Sequence, residues 1–145
     1  MFGKLKEKML GGAARLNGKT DLLEGISAAC IMVGAADGNL SDDEALAALD
    51  RLLNHETISV AFAASQIEAA FDKQAKRAKT GLSGRLALQR EIEDVVKKST
   101  AEEKEMLFVI AIDVASADGD IGDKEKAMLN KIGGIVGLSL ARYTE

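Results

Sequence analysis

The side chains whose types and spacing could do chemistry are acids, gathered in two short stretches. These are Ala36-Asp37-Gly38-Asn39-Leu40-Ser41-Asp42-Asp43-Glu44 and Ala117-Asp118-Gly119-Asp120-Ile121-Gly122-Asp123-Lys124-Glu125. One offset of 81 residues carries Asp37 onto Asp118, Asp42 onto Asp123 and Glu44 onto Glu125, so the stretch is a repeat. The spacing invites comparison with the calcium loop D-x-[DN]-x-[DN]-G-x5-E. Its later positions fit, from the Asp-Gly turn to the closing Glu. Its first two ligand positions fall on Val33 and Ala35 in one copy and on Val114 and Ser116 in the other. Calcium takes six to eight oxygens, so neither loop alone makes a tight EF-hand site. Were the two loops brought together, Asp37, Asp42, Asp118 and Asp123 could jointly hold one hard divalent cation. Oxygen-only donors select Ca²⁺, Mg²⁺ or Mn²⁺ over Zn²⁺.

The same acids have a structural explanation. Asp-Gly is a turn dipeptide, and Asp42, Asp43 and Glu44 in the first turn of a helix complement its dipole. Repetition favours the ligand reading, because capping requires only Ser or Gly and a Glu, whereas both copies also carry the two aspartates. Other chemistries find less. The single His55 has no nucleophile suggested beside it, so no hydrolase reading stands. Asp113 lies at the core edge of an apolar segment, as a further ligand, a partner for a lysine, or a boundary residue half in solvent. Gly133-Gly134 reads as a helix-packing site, not a phosphate cradle. Lys73, Lys76, Arg77, Lys79, Arg85 and Arg90 lack interleaved aromatics, and nucleic acid is not an expected partner.

Elements must position these acids, and the pattern is helical throughout. Leu22, Leu23, Ile26, Ala29, Cys30 and Val33 form a wide apolar stripe over residues 21–36 that ends at the first acidic loop. Ser41 and Glu44 form an S-x-x-E capping box, opening a helix to about Asn54 with Leu46, Leu49, Leu52 and Leu53 inward. The β-branched stretch 55–62 reads as a packed loop. A box at Ser65-Gln66-Ile67-Glu68 opens the next helix, which the breakers Thr80-Gly81 and Ser83-Gly84 close. Residues 85–98 form another, with Leu86, Leu88, Ile92, Val95 and Val96 apolar. Thr100-Ala101-Glu102-Glu103 caps the helix leading to the second loop, and residues 123–136 follow it, with Gly137 as C-cap and a short closing helix capped by Ser139. The expected fold is an all-α single-domain bundle of six or seven helices with an internal pseudo-two-fold helix-loop-helix repeat.

The chain's 145 residues, without proline, suit one helical domain. Residues 1–19 hold five Lys/Arg against one acid, with Phe2, Leu5 and Met9 on one face. This is a basic N-terminal amphipathic helix and linker ahead of a domain over 20–145, packed on the bundle rather than held by lipid. Residues 20–71 hold one Arg against nine acids, and residues 72–98 hold eight Lys/Arg against four. Such asymmetry suggests a cation or a basic partner for the acidic parts. A lone Cys30 in an apolar segment, no run near the ~20 residues of a membrane span and no secretory core predict a cytoplasmic protein.

The paired A-D-G-x-[LI]-x-[DP]-x-E segments, about 80 residues apart, with Gly137-Leu138-Ser139 near the C-terminus, resemble the TerB family of tellurite-resistance proteins. They also resemble the TerB-like domains of some membrane-attached J-domain co-chaperones. The resemblance covers Leu22 to Tyr143. It implies a helical bundle with pseudo-two-fold symmetry and a metal site at Asp37, Asp42, Glu44, Asp118, Asp123 and Glu125. It further implies a role in tellurite or general stress resistance with membrane-associated partners, at the inner face of the membrane. Gly122 departs from the hydroxyl cap of the first copy, and the His-Pro-Asp of a J domain is absent. Two readings follow: a non-enzymatic, metal-responsive interaction module, or a metal-independent adaptor whose acidic face docks a basic protein.

Overall fold

The computed structural model describes residues 18–38, 40–117 and 119–144. The expected N-terminal amphipathic helix lies outside them, as does Asp118. Among the described residues there are eight helices and no strand. They are α1 (Thr20–Gly34), α2 (Asp42–Leu53), α3 (Glu56–Ala61), α4 (Ala64–Ala78), α5 (Gly81–Lys98), α6 (Ala101–Ala115), α7 (Asp123–Val136) and α8 (Ala141–Thr144). None is long and apolar enough to cross a membrane.

Helix α1 is the hub. Its residues from Leu22 to Val33 are buried almost without interruption, and it packs against α4, α5 and α6. A helix apolar on nearly every side must sit inside the bundle. Gly25 lets α5 come close, since a Cβ there would stand 3.0 Å from Val95. Helix α6 is equally apolar and buries Met106 to Ile112. The two run side by side and parallel. Lys19, just before α1, pairs with Glu103 in the first turn of α6, while the far ends of both helices line one cleft. Parallel packing therefore delivers both Asp-Gly loops to the same end of the molecule.

Both loops leave their helices in similar ways. Gly38 and Gly119 hold φ of 106° and 107°, a left-handed backbone that only glycine adopts without strain. Ser41 and Gly122 then sit at φ/ψ of −70°/161° and −68°/161° as N-caps of α2 and α7. Helix α1 also touches α7, and α6 touches α2. Helices α3 to α5 lie between the two copies in the chain.

Three expectations need correction. The stretch read as a packed loop contains α3, whose first turn is capped by an imidazole: His55 Nδ1 accepts from the Thr57 N–H at 3.2 Å. Helix α4 begins at Ala64, not at a box on Ser65. Its cap is half a box, the Ala63 N–H donating to Gln66 Oε1 at 2.9 Å. Leu46 and Leu86 are exposed rather than inward, at 64% and 44%. At about 100° per residue, Leu46 is about 120° around α2 from the buried Leu52, outside the core stripe. The boxes at Ser41 and Thr100 and the left-handed Gly137 C-cap are present as expected.

Candidate functional site

The ends of α1 and α6 and the starts of α2 and α7 enclose an open cleft of about 610 Å³. Asp37, Asp43 and Glu44 of the first loop and helix α2 line it together with Asp123 and Glu125 of α7. Its floor is apolar, formed in part by Cys30, Val33, Val114 and Ala115. Burial, reinforced by the nearby Asp113 charge, pushes the Cys30 thiol up to about 12. It stays protonated at neutral pH and is floor, not nucleophile.

Of the six acids expected at a site, four line this cleft: Asp37, Glu44, Asp123 and Glu125. Asp42 is not among its lining residues. Its carboxylate is 87% exposed and stands 3.4 Å from Lys79 Nζ at the end of α4. Asp118 lies outside the described residues. Both glutamates also serve as caps. Glu44 Oε1 accepts the Ser41 N–H and Glu125 Oε1 accepts the Gly122 N–H, each at 3.0 Å, so each carboxylate keeps a second oxygen. Among the described residues, no three His, Cys, Asp or Glu side chains are gathered closely enough to hold a metal ion.

Three charged residues of the cleft are not marked as site residues by the sequence: Asp43, Arg51 and Lys124. Asp43 reads there only as a complement to the helix dipole. Arg51, in the last turn of α2, is the single Lys or Arg in the acidic segment 20–71, and that imbalance is the available signal. Its Nη1 donates to the Val114 carbonyl at 2.9 Å, in the last turn of α6. A guanidinium at a helix C-terminus meets the negative end of the dipole, and the carbonyls there lack helical partners. Asp113 is the boundary residue half in solvent, its side chain 45% exposed, and it pairs with His55 rather than with a lysine. His55 Nδ1 is occupied by the Thr57 N–H, so Nε2 donates to Asp113 Oδ2 at 2.9 Å. Both ring nitrogens are engaged, and the pair ties the start of α3 to α6.

The carboxylates facing the cleft offer oxygen donors of the kind a hard divalent cation takes, but the described ones are not gathered into a site for it, and two side-chain cations, Arg51 and Lys124, also line the cleft. A family model described as tellurite resistance protein TerB matches residues 24–145. Among curated proteins and solved structures, nothing matches.

Proposed function

The chain belongs to the TerB family, and from that premise we propose that it is a non-enzymatic interaction module of tellurite and stress resistance, governed by a divalent cation at the acidic cleft. The observation that carries this reading is the convergence of acids from both copies of the repeat on one cleft. Since no three of the described carboxylates form a ready cage, the cation acts by drawing together acids from the two copies. It thereby biases the surface around α2 and α7 that a protein partner, membrane-associated and cytoplasmic-facing, reads. Catalysis is no part of this role: the one imidazole has both nitrogens occupied and the one thiol is buried.

Calorimetric titration of metal-stripped protein with Ca²⁺, Mg²⁺, Mn²⁺ and Zn²⁺, read together with melting temperature, tests this. Saturable micromolar or tighter binding with stabilisation is the expected result for at least one oxygen-preferring cation. Asp37→Asn combined with Asp123→Asn should then weaken it steeply. The second reading, an acidic face that docks a basic partner without metal, draws on Arg51, a basic side chain already seated there. No heat and no stabilisation with any of the four metals would overturn the first reading in favour of the second.

A further inference from the structure

The basic run of the chain folds around two exposed leucines. Residues 73–90 hold six Lys/Arg and no acid, in a chain whose net charge is −4. Three of the six are answered from outside the run: Lys73 by Glu24 of α1, Arg77 by Glu91, and Lys79 by Asp42 of α2. Lys76, Arg85 and Arg90 are exposed and pair with no carboxylate among the described residues. Between the two arginines α5 turns Leu82 and Leu86 outward, 67% and 44% exposed. Four residues apart, they stand one above the other on one face. At about 100° per residue, Arg85 lies about 60° to one side of Leu82, and Arg90 about 40° to the other side of Leu86. An apolar ridge flanked by cations is the surface of a helix that lies in a membrane interface. The ridge is convex where it starts, since a Cβ on Gly81 would meet nothing within 4 Å. Where α5 runs on past Arg90, Glu93 and Asp94 line a groove with Lys97 and Lys131, and the purely basic stretch ends.

We propose that the outer face of α5 from Leu82 to Arg90 docks directly on an anionic lipid bilayer. The two leucines enter between the head groups, and Arg85 and Arg90 meet the lipid phosphates on either side. Lys76 of the neighbouring α4 adds attraction at longer range. Charge complementarity selects an anionic occupant, and the leucines select among anionic ones. Single-stranded nucleic acid stacks on aromatic side chains and leaves two aliphatic tips unused. A peptide needs a groove or a sheet edge, whereas a soft, flat surface fits a ridge. Asp42, the acid beside Lys79, is matched by that lysine and not left to repel the lipid. The contact belongs to the chain itself and does not depend on the acidic cleft or on any cation bound there.

The test is flotation of the full chain with vesicles of phosphatidylcholine and phosphatidylglycerol in equal parts, and with vesicles of phosphatidylcholine alone. Wild type should float with the anionic vesicles, not with the neutral ones, and should be released as salt rises. Leu82→Ser combined with Leu86→Ser should lower partition at least about tenfold, as the loss of two apolar anchors requires. Arg85→Gln combined with Arg90→Gln should do the same, each base near an anionic surface being worth about fivefold. All four side chains are exposed, so both double variants should melt close to wild type. Failure of wild type to float with the anionic vesicles overturns the proposal. Flotation that the leucine pair leaves unchanged also overturns it, by placing the contact elsewhere in the chain. Retention on polyglutamate or on single-stranded DNA without flotation overturns it in favour of an acidic protein or a nucleic acid. Should either double variant fail to fold, Leu82→Trp decides the matter, since the chain has no other tryptophan. Its emission should shift to the blue with anionic vesicles, and an unmoved spectrum overturns the proposal.

Discussion

Tyr143 shows how a single side chain near the C-terminus sets a limit on stability. It is 3% exposed, packs edge-on against Phe108 with ring centroids 5.7 Å apart, and donates its hydroxyl proton to Glu105 Oε2 at 2.6 Å. Burial first, and the bond to Glu105 second, push its pKa up to about 12. The native state thus holds the phenolic proton more tightly than the unfolded chain, where it leaves near pH 10. The resulting stability is fully present below about pH 10 and is lost as pH rises toward the folded value. Tyr143→Phe should therefore be less stable than wild type at neutral pH, with the gap closing between about pH 10 and 12. Urea unfolding across that range measures it, and a gap independent of pH would refute the assignment. Two residues before Glu105 on α6, burial alone would raise the Glu103 carboxyl, but Lys19 and Thr100 together hold it below the usual range. The residue types of the cleft were legible because the repeat points at them. Partners such as His55 for Asp113, or Arg51 for the Val114 carbonyl, were not, since each bond joins residues about 60 apart and depends on how helices are placed.

At the scale of the element, the asymmetry between Ser41 and Gly122 is a ready experiment. Both positions have the same extended backbone and both give their N–H to a glutamate three residues on. Only Ser41 returns a side-chain bond, accepting the Glu44 N–H at 3.1 Å. Ser41→Ala should cost about 1 kcal/mol, and Gly122→Ser should gain a few tenths. A Cβ at Gly122 meets only the far end of the Glu125 side chain at 3.2 Å, which can shift. Chemical denaturation checks both, and a destabilised Gly122→Ser would mean that the second junction needs its glycine for another reason. Caps of this kind are legible from sequence because donor and acceptor lie within four residues. Helix α3 was not, because its cap is an imidazole rather than a hydroxyl or carboxylate. The glycines taken as breakers at 81 and 84 do mark the α4–α5 corner, but α5 begins within them. A Cβ on Gly84 would stand 1.7 Å from the Arg77 carbonyl oxygen, so the glycine is what lets the two helices meet so closely.

Over the whole molecule, the segment α4–α5 is joined to α1 by a polar link as well as by the apolar core. Gln74, fully buried on α4, is that link. Its Nε2 donates to Glu24 Oε2 of α1 at 2.6 Å and to Glu91 Oε1 of α5 at 3.2 Å. Its Oε1 accepts from Arg77 Nη1 at 3.0 Å, and Arg77 pairs with Glu91 at 2.8 Å while Lys73 stands 3.4 Å from Glu24. One amide thus satisfies two carboxylates and one guanidinium on three helices. Gln74 stands seven residues after Ile67 and four after Ala70, on the buried stripe of α4, and its hydrogen-bonded network makes the burial of an amide there tolerable. Gln74→Ala should remove roughly 2–4 kcal/mol, because it strips a donor from two part-buried carboxylates and opens a void. Gln74→Glu should be worse at neutral pH, adding a third carboxylate, and should recover in part on acidification. The link, at Glu24, is six residues along α1 from Cys30 on the cleft floor, about 9 Å at the helical rise, and further from the acids. Both variants should therefore lower the midpoint of one cooperative transition without changing the cleft's affinity for a cation. Urea unfolding and calorimetry on the same samples separate the two quantities. A loss below about 1 kcal/mol for Gln74→Ala would mean that apolar contacts of α1 alone hold the bundle together.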